Sequence, residues 1–251
     1  MIPELGQFAL ILALCIAVVQ GALTLPGAAR RDAAWMAIAR PGAFGQFFFV
    51  LVAYCCLTYA FVTNDFSVQY VASNSNSALP LPYRIAGVWG GHEGSLLLWV
   101  FMLTAWMSAV AIFGRSLPED MLARVLGVMG LVSAGFLSFM LFTSNPFDRL
   151  IPAAAEGRDL NPLLQDPGMV VHPPMLYMGY VGFSVAYAFS IAALLSGRLD
   201  ATWARWSRPW TTAAPSPSPR NAAASAAGPS FSPYWPSRCR CSARSSCAPG
   251  C

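Results

Sequence analysis

Five stretches of this chain hold no Asp, Glu, Lys, Arg or His, and each is long enough to cross a bilayer. They run from about Leu5 to Leu25, Gly42 to Val62, Ser95 to Phe113, Val125 to Phe142 and Met175 to Leu195, and are 18 to 21 residues long. At about 1.5 Å of rise per residue, a helical run of this length covers the roughly 30 Å hydrocarbon core. Inside that core each backbone N–H and C=O must be paired within the protein, which favours helices. Only 10% of the 251 residues are charged and 56% are hydrophobic, whereas soluble domains carry about 25% charge. The expected fold class is therefore all-α: a polytopic transmembrane bundle of about five membrane-spanning helices. The first run does not read as a signal peptide, because Met1-Ile2-Pro3-Glu4 lacks a basic start and the run is too long.

Arginine placement predicts the orientation. Arg30, Arg31, Arg40, Arg115, Arg124, Arg198, Arg205 and Arg208 fall on one side, and Arg84, Arg149 and Arg158 on the other. The eight-arginine side is expected to be cytoplasmic. That puts the N-terminus outside, with residues 63–94 and 143–174 as two long external loops. The net charge of +4 comes from arginines scattered between apolar runs, so it marks membrane orientation and not a nucleic-acid-binding face.

Long loops in a compact protein are often functional, and these two hold both histidines of the chain, His92 and His172. In Trp89-Gly90-Gly91-His92-Glu93-Gly94-Ser95 the glycines allow a partner to approach closely. Gly94 or Ser95 is expected to cap the third helix, and Glu93 suits the positive end of its dipole. The string reads either as a ligand or partner contact through His92 and Trp89, or as an interfacial His–Glu pair with Trp89 in an aromatic belt. In Asp166-Pro167-Gly168-Met169-Val170-Val171-His172-Pro173-Pro174-Met175 the prolines fit the first turn of a helix. That predicts His172 at the cap of the fifth helix, on the external rim. It is either a plain cap or a ligand, since a histidine in an apolar rim suits haem iron.

Taken together, several strings resemble a known family. They are Tyr83-Arg84-Ile85-Ala86-Gly87-Val88 running into Trp89–Trp99, then Leu160-Asn161-Pro162-Leu163-Leu164-Gln165-Asp166-Pro167, then Val171–Tyr180. In this order they are similar to the CcmF family of cytochrome c-type biogenesis proteins, the haem lyase subunits of bacterial cytochrome c maturation. A paralogous group serving nitrite-reductase cytochromes shares them. The resemblance covers about residues 1–213. It implies haem as cofactor and a multi-pass location in the bacterial inner membrane. The implied partners are a haem carrier protein, apocytochrome c, other maturation subunits and membrane lipid, with no nucleic acid. It further implies that His172 is an axial ligand of haem iron; His92 belongs to a matching segment but is assigned no ligand role, and it and Trp89 are kept, on their residue types, as contacts for haem or a partner. No catalytic side chain is assigned. The alternatives by class are a small-molecule transporter and an inert structural remnant.

The resemblance stops just after Trp210-Thr211-Thr212. The tryptophan-rich segment that the family carries next does not follow, nor do its further histidines. Residues 214–251 hold four Arg, no acid and four of the seven cysteines, the composition of a disordered tail. Read one base earlier, the codons of Trp235–Cys251 permit an apolar string, so this tail is expected to be out of frame. The expected division is 1–213, a haem-handling membrane region, and 214–251, a tail.

Overall fold

The structure is a computed structural model and describes residues 1–197; the tail and the expected change of reading frame lie outside the described residues. Each apolar run lies inside a longer helix. In chain order the helices are α1 (Ile2–Arg30), α2 (Ala33–Met36), α3 (Ala39–Val62), α4 (Gln69–Asn74), α5 (Leu81–Gly87), α6 (His92–Phe113), α7 (Glu119–Thr143) and α8 (Pro167–Ser196). Among the described residues, five helices are long and apolar enough to cross a membrane. The chain is thus a polytopic membrane bundle, built on α1, α3, α6, α7 and α8.

The helices outrun the apolar runs because capping, and not hydrophobicity, sets where a helix begins. The Asp32 side chain accepts from the N–H groups of Ala34 and Trp35 and starts α2, while Asp166 does the same for Gly168 and Met169 and starts α8. The bundle is apolar on both its inner and outer faces. Phe8, Ile11, Val18, Phe48, Phe183 and Leu194 are exposed, as lipid-facing side chains should be.

With no aqueous contrast to drive them together, membrane helices associate through close packing and hydrogen bonds. α1 provides both. Its buried face is a stripe of small residues, with Gly6, Ala9, Ala13, Ala17, Gly21 and Ala28 against α3 and α7. A Cβ on Gly21 would overlap Leu131, and one on Gly127 would overlap Thr24, so these glycines set the α1–α7 spacing. Inside the bundle the fully buried Gln20 ties three helices together. Its Nε2 donates to the Leu126 carbonyl of α7 at 2.8 Å, and its Oε1 accepts from Gln46 Nε2 of α3 at 2.8 Å. α6 packs on α3 and α7, and α8 closes the other side against α6 and α7.

Because successive spans run antiparallel, the start of α1, the end of α3, the start of α6, the end of α7 and the start of α8 share one end of the bundle. Residues 63–91 and 144–166 cover that end. The opposite end carries Arg30, Arg31, Arg40, Arg115 and Arg124.

Candidate functional site

The two long segments form one cap. An isolated antiparallel bridge pairs Val68 with Arg149. Around it, Gln69 N–H donates to the Asp148 carbonyl at 2.9 Å and Leu150 N–H to the Ser67 carbonyl at 2.8 Å. Further along, Arg158 N–H donates to the Ala72 carbonyl at 2.8 Å. The Ser77 amide and hydroxyl donate to the two oxygens of Glu156, at 2.9 and 2.7 Å. These bonds, with one from the Gly157 amide, hold the Glu156 carboxyl below the usual carboxylate range. Charged groups brace the cap from within. Arg149 binds Glu4 and Ser67 and lies 3.7 Å from Asp65. The Arg84 guanidinium donates to the carbonyls of Leu79 and Ser77, at 2.8 and 2.9 Å.

At the centre of the cap stands Tyr70. It is buried, and its ring meets Phe61 edge-on at 5.4 Å between centroids. Its hydroxyl donates to the Val88 carbonyl at 3.1 Å and accepts from Gly91 N–H at 2.9 Å. Burial pushes the phenol pKa well up, so it stays a neutral donor. The glycine string is shaped to this side chain. A Cβ on Gly91 would come within 2.8 Å of the Tyr70 ring, and one on Gly94 within 2.6 Å of its hydroxyl and into the Val88 carbonyl oxygen.

Two expected helix starts are corrected. α6 begins at His92 with Gly91 as its N-cap, not at Gly94 or Ser95. The Ser95 hydroxyl reaches back to the Trp89 carbonyl at 2.9 Å, which frees the helix to start three residues earlier. His92 is therefore the first residue of α6, exposed, with its ring perpendicular to that of Phe139 at 6.2 Å. Glu93 lies in the first turn, as its charge favours. His172 is not a cap either. α8 is capped by Asp166 and starts at Pro167, so His172 lies in its second turn, exposed at the same end of the bundle. Asp is a strong cap, and the Asp166 bonds start α8 nearly two turns ahead of Pro173-Pro174.

That helix runs through two prolines, and Trp89 shows how. Proline has no N–H, so Pro173 and Pro174 leave the carbonyls of Met169 and Val170 without their helical donors. The Trp89 indole N–H donates to the Val170 carbonyl at 3.1 Å. Of the three expected site residues, the structure joins Trp89 to the turn that carries His172 and engages His92 with Phe139. On α8, Met169, Met175 and Leu176 are three or four residues from His172 and share its face. All three are exposed, giving an apolar surface beside the imidazole. Among the described residues no three His, Cys, Asp or Glu side chains converge to hold a bare metal ion. A single imidazole beside an apolar face fits iron that arrives already held by a macrocycle. The sequence reading missed Tyr70 and the Val170 carbonyl. The second had a visible signal, since a proline at position 174 must orphan the carbonyl four residues earlier.

Comparison with known proteins places this arrangement in context. A family profile described as cytochrome C assembly protein matches residues 89–216. The chain is similar to the cytochrome c-type biogenesis protein CcmF of Pseudomonas aeruginosa, with 67% identity over 85% of this chain and 33% of the relative. For CcmF of Escherichia coli the identity is 60%, over the same shares of the two chains. The cytochrome c-type biogenesis protein NrfE of Haemophilus influenzae is 43% identical over 84% of this chain and 33% of its own length. A solved structure described as cytochrome c heme lyase CcmF matches with a TM-score of 0.72 and 29% identity, over 84% of this chain and 33% of that one. The chain thus spans about a third of the length of the curated relatives it matches.

Proposed function

The chain belongs to the cytochrome c assembly protein family, and from that premise we propose that it serves cytochrome c maturation by holding haem at the external face of the bacterial inner membrane. Its relatives are named for cytochrome c biogenesis and for haem lyase activity. The observation that carries the reading to particular residues is the exposed His172 on the apolar first turns of α8, at the capped end of the bundle. His172 would supply one axial ligand to haem iron, and Met169, Met175 and Leu176 the apolar surface against the ring. His92 and Trp89 would contact haem or a partner at the same end. The partners proposed are a haem carrier, apocytochrome c and other maturation subunits. When bound, haem supplies the vinyl groups that join the cysteine thiols of apocytochrome c. The residues described here bind and orient, and none of them is assigned a covalent step.

The transporter reading is not favoured. A transport path needs polar groups facing a channel, whereas the buried Gln20 and Gln46 bond each other and the α7 backbone.

The test is haem titration of the full chain in lipid nanodiscs. His172→Ala should lower haem affinity about tenfold or more and shift the Soret band; tenfold corresponds to about 1.4 kcal/mol. An unchanged spectrum and affinity would defeat the assignment. As a second readout, residues 1–197 can replace the matching segment of the Pseudomonas aeruginosa relative, where the same substitution should reduce the yield of holocytochrome.

A further inference from the structure

We propose that Trp89 is a positioning residue for His172, acting as the donor that a proline-interrupted helix cannot provide for itself. In an unbroken helix the N–H of residue 174 would bond the Val170 carbonyl, and Pro174 has none. The Trp89 indole fills that place from outside the helix.

The geometry makes Trp89 a rigid donor. Its own N–H donates to the Ala86 carbonyl of α5 at 3.2 Å, and its carbonyl accepts from Ser95 Oγ of α6 at 2.9 Å. The indole is half-buried and packs against the buried residues of the bundle. The residue is therefore fixed by the α5–α6 junction, and its ring N–H reaches across to α8. Val170 lies two residues before His172, in the turn between the Asp166 cap and the prolines. Opening of that turn would change the direction of the imidazole. The bond thus transmits the position of the Tyr70-centred cap to His172.

Any consequence for haem rests on the proposed ligand role of His172, but the mechanical link does not. The two are separated by a double-mutant cycle on the full chain in nanodiscs, using Trp89→Phe, Pro174→Ala and the pair. Trp89→Phe keeps an aromatic ring and removes the donor. Pro174→Ala restores the backbone N–H that the Val170 carbonyl lacks. Without haem, Trp89→Phe should speed amide exchange at Val170, Val171 and His172 by roughly three- to tenfold, the range a lost hydrogen bond implies. In the Pro174→Ala background the same change should have less than about a twofold effect. With haem, Trp89→Phe should shift the Soret band, and Pro174→Ala should reverse the shift. A merely structural role for the indole predicts no rescue by a backbone N–H on another helix. Equal effects of Trp89→Phe in both backgrounds would overturn the positioning role. A flat response to His172→Ala with the exchange coupling intact would overturn the haem reading alone.

Discussion

Replacing Gly94 with alanine should unfold the cap while leaving the bundle inserted. Gly94 is the third residue of α6, and its missing side chain lets the helix start press against residue 88. An added Cβ would run into the Val88 carbonyl oxygen and stand 2.6 Å from the Tyr70 hydroxyl. The obstacle is backbone, which cannot swing away as the tip of a long side chain could. Overpacking of this kind costs about 1–3 kcal/mol and sometimes more. Any retreat of Val88 or Tyr70 also breaks the bonds from Tyr70 to the Val88 carbonyl and from Gly91 to Tyr70, each a further ~1 kcal/mol. The total, about 3 kcal/mol or more, is large for a cap of two short helices and a single bridge. Thermal unfolding in nanodiscs and cleavage of residues 63–91 by added protease would read it. Gly135→Ala is the matched control, since a Cβ there meets nothing within 4 Å. If both variants unfold like the parent chain, the close packing described around Tyr70 is wrong.

A reporter that is active only outside the membrane should work when fused after Asn64 or Gly157 and fall silent after Arg30 or Pro118. The contrast is expected to be all-or-none because the spans alternate. Arg30 and Pro118 lie at the arginine-bearing end of the bundle, and Asn64 and Gly157 at the capped end. Positively charged flanks are retained on the cytoplasmic side, and the count over the sequence is eight arginines against three. Two of the three at the capped end are held by the protein itself. Arg84 is spent on main-chain carbonyls, and Arg149 pairs with Glu4. The salt bridge also pins the first turn of α1 to the cap, so the N-terminus must lie on the capped side. The opposite reporter pattern would invert the whole assignment, including the side on which His172 stands.

The spans were legible because a charge-free run of about 20 residues has few alternatives, and each such run proved to lie within a helix. The helix starts were less legible, for a local reason. Pro173-Pro174 fit a first turn in isolation, but Asp166 seven residues earlier supplies the stronger cap. The proline pair puts His172 at the start of the fifth span, yet it lies six residues past the Asp166 cap, nearly two turns into α8. The glycines of the Trp89–Ser95 string were read as room for a ligand, whereas Gly91 and Gly94 make room for Tyr70, which lies about 20 residues upstream in a segment with no periodic pattern. The joining of the two long segments was not legible at all. Val68 and Arg149 are paired through main-chain atoms, which no residue type announces.

That joining has a consequence for how the protein is made. Ser67 and Arg149 are 82 residues apart, and at about 5–20 residues per second the ribosome needs roughly 4–16 s to bridge them. During that interval the first half of the cap stands without the bridge, the carboxylate or the guanidinium that will hold it. The buried Tyr70 and Val71 then have only their own segment and the first two spans for cover. Folding of the external face is therefore coupled to completion of the fourth span, and the half-made cap is the stage at which the growing chain is most open to proteases.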